Sequence, residues 1–191
     1  MKRILFFLSG TLLFLACKNE TKPAEATAAD TTKTAVAETP AAPAAPTVTL
    51  PYTAAYSSNF SDAVSDNDLL TVLNSYKYWE AGDMAGAKST LADSVNFYAW
   101  NGFEYHGKND GLIKLWSKSR DSLNSVKIIF DAWRKMHAVD KNEDWVSLWY
   151  TEVDKYKTGK VDSSYFQDDN KVINGKIAEY SQHKQYLKKK K

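Results

Sequence analysis

The chain is 191 residues long, 43% hydrophobic and 25% charged, with 25 basic residues against 23 acidic ones and a single cysteine, Cys17. A formal charge of +2 supplies no broad positive field of the kind nucleic-acid binding needs, so no nucleic-acid partner is expected. One cysteine also excludes an internal disulfide, so any folded part must hold itself together by packing.

Met1-Lys2-Arg3 is followed by a mostly apolar run from Ile4 to Ala16, and then by Cys17. A basic start, an apolar core and a small residue before a cut describe a secretory signal. The run is shorter than the roughly 20 residues that span a bilayer. With the only cysteine directly after the cut, the segment resembles the bacterial lipoprotein signal, whose cysteine is acylated and becomes the mature N-terminus. The resemblance implies a signal peptide over 1–16, lipidation (palmitate or a related acyl chain) at Cys17, and a cell-envelope protein anchored in the lipid bilayer. Lys18-Asn19-Glu20 resembles the charged export signals of outer-membrane and surface lipoproteins, which favours the outer membrane over the inner. Removing Lys2 and Arg3 leaves 23 basic residues against 23 acidic, a formally neutral mature chain.

From Thr21 to Thr47, 21 of 27 residues are alanine, threonine or proline and none is aromatic. Such a stretch buries too little apolar surface to offset its ordering entropy, which reads as a disordered tether over 17–60. All five prolines lie at or before Pro51 and all six tryptophans at or after Trp79. That break places the folded domain at 61–187, large enough for one core. Lys188–Lys191 form a basic tail, read as a solvated terminus or a lipid-headgroup contact.

Within the domain, Ser65 and Asp68 have capping-box spacing. Leu69, Val72, Leu73 and Tyr76 then make one apolar stripe, and Gly82 ends the predicted helix. Asp83 caps a second helix through Met84, Ala87 and Leu91, and a third starts near Asn109 or Asp110 and carries Leu112, Leu115 and Trp116 inward. Segments 94–100, 126–139, 145–156, 161–172 and 176–186 are rich in β-branched and aromatic residues and are predicted strands. Thr158-Gly159 and Asn174-Gly175 mark hairpin turns between the last three. Segment 145–156 carries aromatics on both parities, so it is covered on both faces or lines a cavity on one. The order describes an α+β fold: a cone-shaped, curved antiparallel sheet packed against about three N-terminal helices.

Tyr78-Trp79-Glu80-Ala81-Gly82-Asp83, Leu91-Ala92-Asp93-Ser94-Val95, His106-Gly107 and Asn174-Gly175-Lys176-Ile177 follow one another in an order that resembles the nuclear transport factor 2-like superfamily, in particular its SnoaL-like members. The resemblance covers about residues 66–186 and implies a fold shared by enzymes, binding modules and assembly domains. In ketosteroid-isomerase-like members a carboxylate base follows the Ala-Asp motif. Matching on Gly82-Asp83 and Leu91-Ala92-Asp93 places that base at Ala99 and the oxyanion-binding tyrosine at Ser75, beside Tyr76. Alanine moves no proton, so chemistry of that type is not expected.

Other catalytic signatures are missing. There is no G-x-S-x-G elbow, no phosphate-binding glycine loop and no H-E-x-x-H, and His106, His137 and His183 lack metal-ligand spacing. No metal and no cofactor are expected. Asp131 and His137 share parity on one predicted strand, as a general base and polariser facing a pocket or as polar surface residues. Tyr76, Trp79, Phe97, Trp116, Trp133 and Trp149 are the candidate lining of an apolar cavity, or else fill a solid core. Three functional readings follow: a lipid-anchored module binding a small apolar or aromatic molecule, a polyketide-cyclase or dehydratase-like enzyme using Asp131 and His137, or an interaction domain that forms a homodimer through its open sheet face.

Overall fold

Ser65 opens the first helix as the spacing predicts: its Oγ accepts a hydrogen bond from the Asp68 amide at 3.1 Å and donates to the Asp68 carboxylate at 2.7 Å. In the computed structural model, which describes residues 49–186, this helix is α1 (Asp66–Ala81). The signal segment, Cys17, residues 17–48 of the tether and the basic tail lie outside the described residues. Gly82 closes α1 with φ +75°, a left-handed conformation that glycine adopts without a Cβ clash. Asp83 then caps α2 (Met84–Thr90) by accepting from the Gly86 amide at 2.8 Å. The guanidinium of Arg120 ties the end of α1 down, donating to the carbonyls of Trp79 (3.1 Å), Glu80 (3.2 Å) and Leu123 (3.3 Å).

The remaining elements are β1 (Phe60–Ser61), β2 (Leu91–Tyr98), β3 (Glu104–Lys108), α3 (Asn109–Arg120), β4 (Leu123–Ala138), β5 (Glu143–Tyr156), β6 (Val161–Ile173) and β7 (Lys176–Tyr186). They form one seven-stranded sheet in the order β1-β4-β5-β6-β7-β2-β3, antiparallel except where β2 meets β7. The α+β architecture with three helices on a curved, unclosed sheet is the predicted one. Asn174 (φ +52°) and Gly175 (φ +73°) make the β6–β7 turn with two successive left-handed residues, the backbone a tight hairpin requires.

Several boundaries differ from the sequence reading. Leu91 starts β2 instead of ending α2, and β1 and β3 carry no strong strand signal because they are two and five residues long. The chain also joins the fold before residue 61. Tyr56 sets its ring edge-on to Trp145 and accepts a hydrogen bond from that indole at 2.9 Å, while β1 pairs with the end of β4.

The core lies between the helices and one sheet face. Val72 and Leu112 bring the helices into it, and Val95, Val146, Leu148 and Ile177 bring the strands. Each such side chain contributes about 1.5–3 kcal/mol by leaving water. On β5 and β6 the inward residues are even-numbered, and this alternation decides which polar side chains face the helices.

Candidate functional site

A cavity of about 490 Å³ opens between α1, α3 and the inner face of the sheet. Helical spacing delivers Ser75, Tyr76 and Trp79 from α1, and Leu112, Leu115 and Trp116 from α3. Strand alternation delivers Tyr150, Glu152 and Asp154 from β5, Phe166 and Asp168 from β6, and Tyr180, Gln182 and Lys184 from β7. Phe97 reaches it from β2, and Ala99, Trp100 and Phe103 line it from the segment between β2 and β3.

The aromatic wall is built from edge-to-face contacts. Trp116 meets Tyr180, Phe97 and Trp79 with ring centroids 5.4, 5.9 and 6.4 Å apart, an arrangement that aromatic quadrupoles favour. Tyr76 packs its edge on Tyr150 at 5.3 Å, and Tyr150 stacks on Phe166 at 5.4 Å. The core is therefore packed around the cavity and does not fill it.

Asp168 is the polar centre of this wall. It is 1% exposed, and its Oδ2 accepts hydrogen bonds from the hydroxyls of Tyr76 (2.7 Å) and Tyr150 (2.8 Å) and from the Gln182 amide (3.5 Å). Its Oδ1 is buried without a hydrogen-bond partner among the described residues. Burial pushes the carboxyl up to about 7, against the three hydrogen bonds, which favour the ionised form. The Tyr76 and Tyr150 hydroxyls are held well above the tyrosine range by the same burial and by the Asp168 charge.

A second acidic group lies along β5. Glu152 accepts from the Trp79 indole at 3.1 Å and shares a hydrogen bond with Asp154. Burial, then the charges of Asp154 and Asp168, raise Glu152 well above the carboxylate range. Burial raises Asp154 too, with Lys184 opposing. Lys184 places its ammonium over the Trp100 ring at 4.7 Å and the Phe166 ring at 5.3 Å. Among the described residues, no three His, Cys, Asp or Glu side chains converge closely enough to hold a metal ion.

Four of the six aromatics named from the sequence, Tyr76, Trp79, Phe97 and Trp116, meet at this cavity. Trp133 and Trp149 do not line it. Trp133 is 52% exposed near the edge of the sheet, its ring edge-on to Phe130, and Trp149 sits opposite Ala132 and Gln167 on the other face. Asp131 and His137 are likewise kept apart. Register slips between Phe130 and Ala132, so Asp131 is the extra residue of a β-bulge and the shared parity ends there. Asp131 hydrogen-bonds Tyr165, on the face away from the cavity, whereas His137 Nδ1 lies 2.6 Å from Asp144 near β1.

Ser75 and Ala99, the positions that the isomerase comparison picked out, are both on the cavity wall. The carboxyl absent at Ala99 has counterparts elsewhere on the wall, and Tyr76 lines it beside Ser75. Asp168, Glu152 and Asp154 escaped the sequence reading, although a signal existed: Glu152 and Asp154 follow Tyr150 at steps of two, so an inward Tyr150 turns both inward.

No protein-family profile and no curated protein sequence matches the chain. Solved structures do match in shape. An NTF2-like protein of unknown function from Burkholderia pseudomallei is 18% identical, with a TM-score of 0.51 over 61% of this chain and 89% of that one. One from Exiguobacterium is 17% identical, with a TM-score of 0.52 over 60% of this chain and 98% of that one. A protein provisionally assigned as a polyketide cyclase, from Xanthomonas campestris, is 16% identical, with a TM-score of 0.50 over 62% of this chain and 90% of that one. This likeness in shape gives the domain the nuclear transport factor 2-like fold.

Proposed function

We propose that the protein is a lipid-anchored module of the cell envelope that binds a small, largely apolar or aromatic molecule in the cavity. The observation that carries this reading is the 490 Å³ space walled by Trp79, Phe97 and Trp116 with a buried carboxyl, Asp168, in its lining. Aromatic rings supply apolar surface for a flat ligand, and polar groups such as Asp168 fix its orientation. Titration with 2-naphthol, read by quenching of tryptophan emission, tests it. The full chain gives saturable quenching, Trp116→Ala weakens it at least about tenfold, and Trp149→Ala, on the opposite face, leaves the affinity within about twofold. Quenching that does not saturate, or that Trp149→Ala weakens as much as Trp116→Ala, defeats the reading.

One observation favours an enzyme of the cyclase or dehydratase class instead. A carboxyl near 7 with one oxygen unpaired at a cavity gains or loses a proton close to neutral pH, as a general acid or base must. On that reading the proton carrier is Asp168, in place of Asp131 and His137. Asp168→Asn then abolishes turnover of a substrate found by screening while leaving its binding intact.

A further inference from the structure

The cavity contains more acid than an apolar ligand needs. Asp168, Glu152 and Asp154 all line it, from adjacent strands, and two of their oxygens, Asp168 Oδ1 and Asp154 Oδ1, are buried with no hydrogen-bond partner among the described residues. A buried carboxylate oxygen left unpaired is costly, and a ligand N–H is the group that satisfies it. The walls around these acids are aromatic faces and edges, from Trp79, Trp116, Phe97 and Tyr150, and aromatic faces attract organic cations. The wall already holds one ammonium this way: Lys184 lies over Trp100 and Phe166.

The geometry points to an aromatic or aliphatic amine as the ligand, its apolar body against Trp79 and Trp116 and its ammonium donating to Asp168, with the Glu152–Asp154 pair adding negative charge to the same cavity. This rests on the cavity being a binding site and names the class of molecule it takes. A metal ion does not fit the same acids, since no three of them converge on one point. A carboxylate ligand fits poorly too, because the bases that line the cavity are Lys184, already seated on two rings, and the exposed Lys118.

An ammonium brought to these carboxyls stabilises their ionised forms, so binding expels protons at pH 7. The charged and titratable groups that bear on Asp168 are Tyr76 from α1, Tyr150 and Glu152 from β5, Asp169 beside it, and Tyr180 from β7. Those that bear on the β5 pair are Asp168, Lys184, Asp162 and Arg120, with Tyr150 and Tyr156 from β5 itself. The tyrosines stay neutral throughout, so proton release in this range belongs to the carboxyls.

Calorimetry on the full chain with three indoles of the same body tests the inference: tryptamine (ammonium), tryptophol (hydroxyl) and indole-3-acetate (carboxylate). Tryptamine is expected to bind at least about tenfold tighter than tryptophol at pH 7.5, the scale of a hydrogen bond to a charged group. Its heat should depend on the ionisation enthalpy of the buffer, reporting protons released, while that of tryptophol should not. The double variant Asp168→Asn, Glu152→Gln, checked for native circular dichroism, should bring the affinities for tryptamine and tryptophol within about twofold of each other, the loss falling chiefly on tryptamine. Asp131→Asn, on the other face, should change neither. Equal binding of tryptamine and tryptophol by the wild-type chain overturns the amine inference and leaves the binding module standing, as does a preference for indole-3-acetate. No saturable binding of any of the three overturns both.

Discussion

Replacing Asp168 by asparagine tests the electrostatics of the cavity without any ligand. The carboxyl is held at about 7 in the folded chain against 3.8 when exposed, a difference of about 3 pH units. At about 1.4 kcal/mol per unit, ionising Asp168 in the folded state costs on the order of 4 kcal/mol. Because the folded pKa is the higher one, the folded state holds the proton more tightly. Its stability is therefore greatest below pH 4, falls as pH rises from about 4 to 7, and levels off above that as far as this group is concerned. Glu152 and Asp154 are raised as well and extend the fall in the same direction. Acids with lowered values, Asp66, Asp110 and Glu143, lose their contribution only as pH falls through their folded values near the acid end, outside the window of pH 5–7.

Asparagine keeps an oxygen to accept from Tyr76 and Tyr150 and removes the titration. Urea unfolding of wild type between pH 5 and 7 is expected to show a slope steeper than that of Asp168→Asn by up to about 1.4 kcal/mol per pH unit. At pH 7.5 the variant is at least as stable as wild type. Parallel slopes for the two proteins, or a variant less stable at every pH, would refute the assignment of a raised, buried carboxyl to Asp168.

Arg120→Lys is expected to cost about 1.5–3 kcal/mol in urea unfolding, since one ammonium cannot serve the carbonyls of Trp79, Glu80 and Leu123 together. Gly175→Ala should cost about 1 kcal/mol through backbone strain alone, because φ is +73° and the nearest atom to a new Cβ, on Asp68, is 4.0 Å away. Cys17→Ser should abolish incorporation of a fatty-acid analogue and release the protein from the membrane fraction; equal labelling of both forms would defeat the proposed anchor.

The sequence carried the fold where one physical rule acted alone. Ser65, Gly82, Asp83 and Asn174-Gly175 each impose a backbone conformation locally, so the ends of α1, the cap of α2 and the last hairpin could be placed from neighbouring residues. The aromatic wall was partly legible for a similar reason: Tyr76 and Trp79 belong to a helix whose inward stripe was recognised, and Trp116 to another. The strands were harder, because alternation assigns faces only while register is unbroken. One inserted residue at Asp131 turned that side chain away from His137 and ended the pairing of the two as a catalytic couple. The same rule read on β5 and β6, where no slip occurs between them, places Glu152, Asp154 and Asp168 beside Tyr150 and Phe166. An acid on a strand reads as surface by composition, and only the burial of its inward neighbours shows otherwise. The chemistry of this domain follows from that conflict. Carboxyls are held among packed aromatic rings, with two oxygens unpaired among the described residues, and the amine proposed above meets both halves of that conflict, bringing an apolar body and a charge to donate.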